Sequence, residues 1–167
     1  KTNEDGTASF GAIMRDITEA RIAKEAILKS ETLLKEAQSI AKISRWEWNV
    51  NDNIIHGPEA FLESYNLKLD ALKPPEQSLL EIVHQNDAKQ FKKQLGDFFE
   101  NKTPQSIEFK LKSKKKSPVY IEMQANVELN KNGEAIRYFG ILRDRTEQAE
   151  SERLKEAFTR ELELQVK

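Results

Sequence analysis

The chain has 167 residues, 33% of them charged and 38% hydrophobic, and Lys+Arg 27 against Asp+Glu 28 leaves a formal net charge of −1 at pH 7. That length suits one domain with appendages and a core that needs no staples, and near-neutrality removes the global field that recruits nucleic acid or an anionic membrane. Zero cysteines exclude disulfides, Cys-ligated zinc, iron–sulfur clusters, thiol nucleophiles and cysteine–flavin photochemistry. No apolar run approaches the ~18 residues of a membrane span and no signal peptide opens the chain, so a cytoplasmic setting without direct membrane contact is expected.

Glycine and proline are absent between Gly11 and Gly57 and again after Gly140, so two uninterrupted stretches flank a middle that holds all five prolines. The first stretch predicts a helix from about Glu19 to Ile43. Ala23, Ala26, Ile27, Ser30, Leu33, Leu34, Ala37, Ile40 and Ala41 recur at spacings of three and four, one apolar or small stripe among charged faces. Ala23, Ile27, Leu33, Leu34 and Ala37 on that stripe are the candidate contacts of a homodimer, in the manner of a coiled coil. Packing against the chain's own domain is the alternative. The tail from Glu147 carries a narrower stripe of Leu154, Ala157, Phe158, Leu162 and Val166.

The middle alternates in type. Arg45 to Val50 has strict period two and predicts a half-buried strand; Asn51-Asp52-Asn53 is a turn cluster, and Ile54-Ile55-His56 a short second strand stopped by Gly57. Pro58 suits the start of a short helix carrying Phe61, Leu62 and Tyr65. Two further helices are expected over Glu76–His84 and Asp87–Phe99. After Pro104 the period becomes two, with Ile107, Phe109 and Leu111 inward, then Val119, Ile121, Met123, Ala125, Val127 and Leu129. Asn132-Gly133 predicts a hairpin turn. The returning strand Ala135–Arg143 is apolar on both faces and is therefore expected mid-sheet. The order predicts an α+β domain, an antiparallel sheet with helices on one face.

An internal repeat marks the two helix entrances. Phe10-Gly11-Ala12-Ile13-Met14-Arg15-Asp16-Ile17-Thr18-Glu19 matches Phe139-Gly140-Ile141-Leu142-Arg143-Asp144-Arg145-Thr146-Glu147 with one residue deleted. One unit is then a domain that ends in a strand, Asp-x-Thr-Glu, and a helix into the next unit. Residues 1–17 read as the terminal strand of an upstream copy, 18–43 as a helical linker, 44–146 as the domain and 147–167 as the start of an outgoing helix.

These endings, with Ser44-Arg45-Trp46-Glu47-Trp48-Asn49 and Val83-His84-Gln85-Asn86-Asp87, resemble a PAS domain of the PAS-3 type with its PAC motif, over about residues 40–149. The resemblance implies the PAS fold, a five-stranded antiparallel sheet with short helices on one face, flanked by N- and C-terminal signalling helices. It also implies a non-catalytic sensor, relay and dimerisation module in a two-component signalling protein, with a sensor histidine kinase as the expected parent. The alternative is a ligand- or cofactor-binding sensory domain of a histidine kinase, a cyclic-di-GMP enzyme or a transcription regulator. Expected partners are a second copy and the adjacent PAS and output domains of the same chain, with a small-molecule ligand left open and no nucleic acid.

Asp144, Arg145, Thr146 and Glu147 are the candidate signal-transfer residues. As a sequence they read as a capping box, with Asp144 at the N-cap and Glu147 reaching back to it. Arg145 departs from the resembled pattern, which places an apolar residue there. His84 reads as a helix end followed by an Asn86 or Asp87 cap, and His56 as a sheet-edge residue. No metal site is expected from two histidines 28 residues apart. With no cysteine for a flavin adduct and no recognisable haem ligand, no cofactor is expected. Lys110, Lys112, Lys114, Lys115 and Lys116 read as a solvated hairpin tip. Trp46, Trp48, Phe61, Tyr65, Phe91, Phe109, Tyr120, Tyr138 and Phe139 line a cavity or fill a solid core. No phosphate loop, zinc-protease helix, nucleophile elbow or kinase signature is present, so the fragment itself carries no catalytic residues.

Overall fold

The structure, a computed structural model, describes Gly6 and residues 11–166. Two compact units make up the chain, Lys1–Ala37 and Gln38–Lys167. Most of the strand remnant expected over residues 1–17 lies outside the described residues; 11–17 are exposed and carry no strand. Helix α1 (Thr18–Ile40) follows, and none of its residues is buried. No described helix is long and apolar enough to cross a membrane.

The larger unit runs β1 (Ile43–Asn49), β2 (Ile54–His56), α2 (Glu59–Glu63), α3 (Pro75–Ile82), α4 (Ala88–Asn101), β3 (Gln105–Lys110), β4 (Tyr120–Leu129), β5 (Ala135–Asp144) and α5 (Thr146–Gln165). The five strands form one antiparallel sheet in the order β2-β1-β5-β4-β3. The strand with apolar residues on both faces, β5, takes the centre, as its composition predicts.

Period-two alternation decides which face is inside. Ile121, Met123 and Ala125 of β4, Ile107 and Phe109 of β3, and Trp46 of β1 are buried. Leu62 of α2, Leu79 and Ile82 of α3, and Phe91, Leu95 and Phe98 of α4 close over that face as one cluster. A side chain as fully buried as Phe98 or Leu62 contributes about 1.5–3 kcal/mol relative to exposure, so three short helices suffice to hold the layer.

Several boundaries differ from the sequence expectation, each for a local reason. α3 ends at Ile82 because Val83 turns extended and bridges Leu111 beside β3. Asp87 does not cap α4 with its side chain; its Oδ2 instead accepts the Lys110 N–H at 2.8 Å and holds the edge strand. The β4–β5 connection spans residues 130–134 rather than two. Its organiser is the Asn130 carboxamide, whose Oδ1 accepts the N–H of Asn132 and of Glu134.

One close approach needs glycine. Trp46 of β1 faces Gly140 of β5, which faces Ala125 of β4. The Trp46 indole crosses this small-residue lane and its Nε1–H donates to the Gln124 carbonyl at 3.1 Å. A Cβ on Gly140 would lie 1.8 Å from that carbonyl oxygen. Gly140→Ala should therefore cost about 3 kcal/mol or more, since the backbone of two paired strands must part. Gly96→Ala, in an exposed turn of α4 with nothing within 4 Å of the new methyl, should stabilise by about 0.5–1 kcal/mol. Urea unfolding of the two variants measures both.

Candidate functional site

The residues proposed from sequence to carry signal sit where the central strand becomes the outgoing helix. Asp144 is the last residue of β5 and Thr146 the first of α5, with Arg145 between them. The capping box does not form. Asp144 Oδ1 accepts the Thr146 N–H at 2.8 Å, so its carboxylate serves the helix start from one residue further out. Its own N–H is taken by the Lys42 carbonyl at 3.0 Å. Glu147 therefore has no backbone donor to reach back to, and its Oε1 accepts from Lys42 Nζ at 2.8 Å. Lys42 adopts the left-handed region, φ 50°, to present both groups.

The second carboxylate oxygen of Asp144 accepts the hydroxyl of Tyr65, which follows α2 in the chain. Thr146 Oγ1 accepts the Tyr120 N–H at 3.0 Å, and the Tyr120 carbonyl accepts the Arg145 N–H at 2.8 Å. The start of β4 is thus hydrogen-bonded to the start of α5. Arg145, out of place for the resembled pattern, is used as a strut. Its guanidinium pairs with Glu108 of β3 and lies 3.7 Å from Glu152 of α5, while its Nε donates to Gln148 at 3.2 Å. Arg153 adds a bond to the Tyr120 hydroxyl at 2.9 Å.

Burial of the half-buried Asp144 acts to raise its pKa, but the bonds from Thr146 and Tyr65 and the nearby Lys42 charge outweigh it, so the carboxyl is held below its ordinary value. Tyr65 is pushed well above the usual phenol range, first by burial and then by the Asp144 bond and charge. The pair is therefore a neutral phenol donating to a carboxylate across the neutral range. Asp16 repeats the local part of this arrangement at the other helix entrance. Its Oδ1 accepts the Thr18 N–H at 2.9 Å, and Thr18 is the first residue of α1.

The other candidates are dispersed. Ala23, Ile27, Leu33, Leu34 and Ala37 all lie on α1 and are exposed. Trp46, Tyr65, Phe91, Phe109 and Tyr138 are buried in the core, with Trp48 and Phe61 packed against it. Phe91 meets Phe109 at 4.8 Å between ring centres, and Trp48, Phe99 and Tyr138 stack within 5.4 Å of one another, so these rings fill the core. Phe139 lies on the other face under Arg137, 4.5 Å from its guanidinium carbon. His84 Nδ1 accepts the Asn86 N–H at 3.2 Å, and His56 on the edge strand reaches Asp52 at 3.4 Å. The lysine tip is exposed except at its base, and Lys115 Nζ stands 4.6 Å over the Tyr65 ring. Among the described residues no three His, Cys, Asp or Glu side chains gather for a metal ion. Sequence reasoning missed the role of Lys42 and saw Tyr65 and Tyr120 only as aromatics of a cavity or core. No local signal marks them, because Tyr65 and Asp144 are 79 residues apart.

The profile of the PAS fold family matches residues 54–142, more than half of the chain. The "Probable diguanylate cyclase DgcE" of Escherichia coli (strain K12) is 31% identical over 147 residues, covering 86% of this chain and 13% of that protein. The chain thus spans 13% of the length of this relative. A sensory box histidine kinase/response regulator from Burkholderia thailandensis E264 superposes with a TM-score of 0.59 at 19% identity, covering 78% of this chain and 97% of that one. The N-terminal domain of a diguanylate cyclase with PAS/PAC sensor from Marinobacter aquaeolei gives 0.52 at 15% identity, covering 64% and 98%. At those identities the two solved structures share the fold.

The Tyr65–Asp144 bond makes a signed prediction. Asp144 has a folded pKa below its ordinary 3.8, so its stabilising contribution is present above that value and is lost as pH falls through the folded pKa. Tyr65→Phe removes a donor to a charged acceptor and should cost about 1.5–3 kcal/mol at pH 7. The Asp144 carboxyl should titrate at a higher pH in the variant, which carbon-detected NMR of the carboxyl reads directly. An unmoved titration would show that the hydroxyl does not hold the carboxylate.

Proposed function

The chain belongs to the PAS fold family, and we propose on that premise that it is a non-catalytic sensory and relay module of a larger cytoplasmic signalling protein, passing changes in the sheet to α5 through Asp144, Arg145, Thr146 and Glu147. The observation that carries the reading is the continuity of β5 with α5. The central strand is paired on both sides, and it enters the helix through a carboxylate bonded at once to Tyr65 and to Thr146. No glycine or proline between Asp144 and Glu147 absorbs motion. A shift of the strand or of α2 therefore tilts or rotates the first turn of α5.

The parent's output is read as a diguanylate cyclase or a histidine kinase. The 31% identical relative, named as a probable diguanylate cyclase, favours the cyclase over the kinase that the sequence alone puts first. Residues 1–17 are read as the end of an upstream copy of the domain. The Asp16–Thr18 bond, which matches Asp144–Thr146, supports this. The module is further read as a homodimer joined through α1, because Ile27, Leu33 and Leu34 expose more than half of their surface and exposed apolar stripes of this size favour a partner.

The Asp144→Ala, Thr146→Ala double variant tests the relay. It leaves the Tyr65 hydroxyl and the Tyr120 N–H without acceptors and should cost about 2–4 kcal/mol. Signal-dependent output of the full-length protein should fall by far more than the loss of folded protein. Output that merely tracks the folded fraction in a melting series would reduce the junction to a structural cap. Light scattering tests the assembly: the unmodified chain should be a dimer at micromolar concentration and the Leu33→Glu, Leu34→Glu variant a monomer. A monomeric unmodified chain would rule the α1 interface out.

A further inference from the structure

A cavity of about 230 Å³ opens beside the edge strand, bounded by β2, α2, the 64–74 segment and the first turn of α3. None of β3, β4 or β5 contributes to its walls. It is smaller than the ~300–1,000 Å³ typical of sites for drug-sized ligands, so its occupant is a compact molecule. Ile55, Leu62, Leu69 and Pro75 supply an apolar floor.

The charges at the rim are unevenly matched. Glu59, Glu63 and Asp70 face two lysines, Lys68 and Lys73. Lys73 is shared between Asp70, at 3.5 Å, and Glu81 outside the cavity. Lys68 approaches Glu63 only to 4.0 Å. Among the described residues Glu59 has no basic partner; both of its carboxylate oxygens accept the Gly57 N–H at 3.0 Å. A cation entering the cavity meets, at the exposed Glu59, a carboxylate without a basic partner among the described residues, next to an apolar floor. An anion meets His56 and two lysines, Lys68 and Lys73, but each lysine already stands within 4.0 Å of a carboxylate and three carboxylates line the same rim.

We propose that this cavity binds a small organic ammonium compound, its apolar body on Ile55, Leu62 and Leu69 and its ammonium group at Glu59. The consequence for signalling rests on the relay reading above. Leu62 lines the cavity, and its carbonyl accepts the Tyr65 N–H at 3.0 Å. The segment that a ligand would press on is the one whose Tyr65 hydroxyl holds Asp144.

The test is an amide NMR titration of the chain with phenethylamine, with 2-phenylethanol and phenylacetate as the neutral and anionic counterparts. Phenethylamine should give saturable shifts at Ile55, Glu59, Leu62 and Ser78 and bind at least about tenfold more tightly than either counterpart, as loss of a charge-assisted bond implies. Glu59→Gln should weaken the amine about tenfold and leave the alcohol unchanged, with the rest of the spectrum reporting an intact fold. Ala71→Phe, at the exposed mouth, should block amine and alcohol alike. Absent or unsaturable shifts, shifts confined to other surfaces, or equal binding of the amine and its counterparts would overturn the proposal. Saturation at the cavity without movement at Tyr65 and Asp144 upholds the site and counts against the relay reading instead.

Discussion

A half-buried carboxylate at the end of the central strand sets the terms for the larger unit. Asp144 loses hydration where β5 leaves the sheet, and an ionised group there is tolerated only if donors replace the lost water. Three elements supply the surroundings: Tyr65 after α2, Thr146 at the start of α5, and Lys42 before β1, whose carbonyl takes the Asp144 N–H. Satisfying one charge thus fastens the entry of the first strand, the exit of the last and a helix on the covered face at a single point. Asp-x-Thr recurs at both helix entrances with the same local bond, although Asp16 is exposed and Asp144 half-buried. The backbone part of the motif is local, whereas the Tyr65 bond joins residues 79 apart in the chain.

The sheet that delivers β5 to this point depends on a lane of small residues. Gly140 and Ala125 leave room for the Trp46 indole to lie across β5 and bond the Gln124 carbonyl on β4. One side chain therefore links three neighbouring strands directly, where backbone ladders link them only in pairs. A strand held on both sides and crossed in this way moves with its neighbours. This is the mechanical coupling that the proposed relay requires, and it follows from packing.

Charge is used differently at the two ends of the larger unit. Near α5 the ions are paired across elements: Arg145 with Glu108 and Glu152, Lys42 with Glu147. Exposed pairs of this kind add little stability individually, so their effect lies in orienting the first turns of α5 against the sheet. At the cavity beside β2 the pairing is incomplete, and among the described residues Glu59 is bonded only to backbone. The contrast separates a region built to hold one geometry from a region able to accept another charge.

The alternation of Ile121, Met123 and Ala125, the repeat ending in Asp-x-Thr-Glu and the apolar character of both faces of β5 were legible in the sequence, because each depends on spacing within one segment. From them came the α+β class, the central place of β5, the helices at both ends and the location of the junction. What the sequence could not specify were the partners that cross long separations. Asp144 reads as a helix cap until Tyr65, 79 residues away, is brought to its second oxygen, and Glu147 reads as its capping partner until Lys42, 105 residues away, claims both the Asp144 N–H and the Glu147 carboxylate. The aromatic set read equally as cavity lining or as core. Tertiary packing placed seven of the nine in or against the core, left Tyr120 beside α5 and Phe139 on the other face, and opened a cavity beside β2 among charged residues whose balance depends on which lysine reaches which carboxylate. Local period and turn chemistry act through the covalent chain and are written in order along it. Hydrogen-bond satisfaction and charge pairing act through space, and are set only once the sheet has closed.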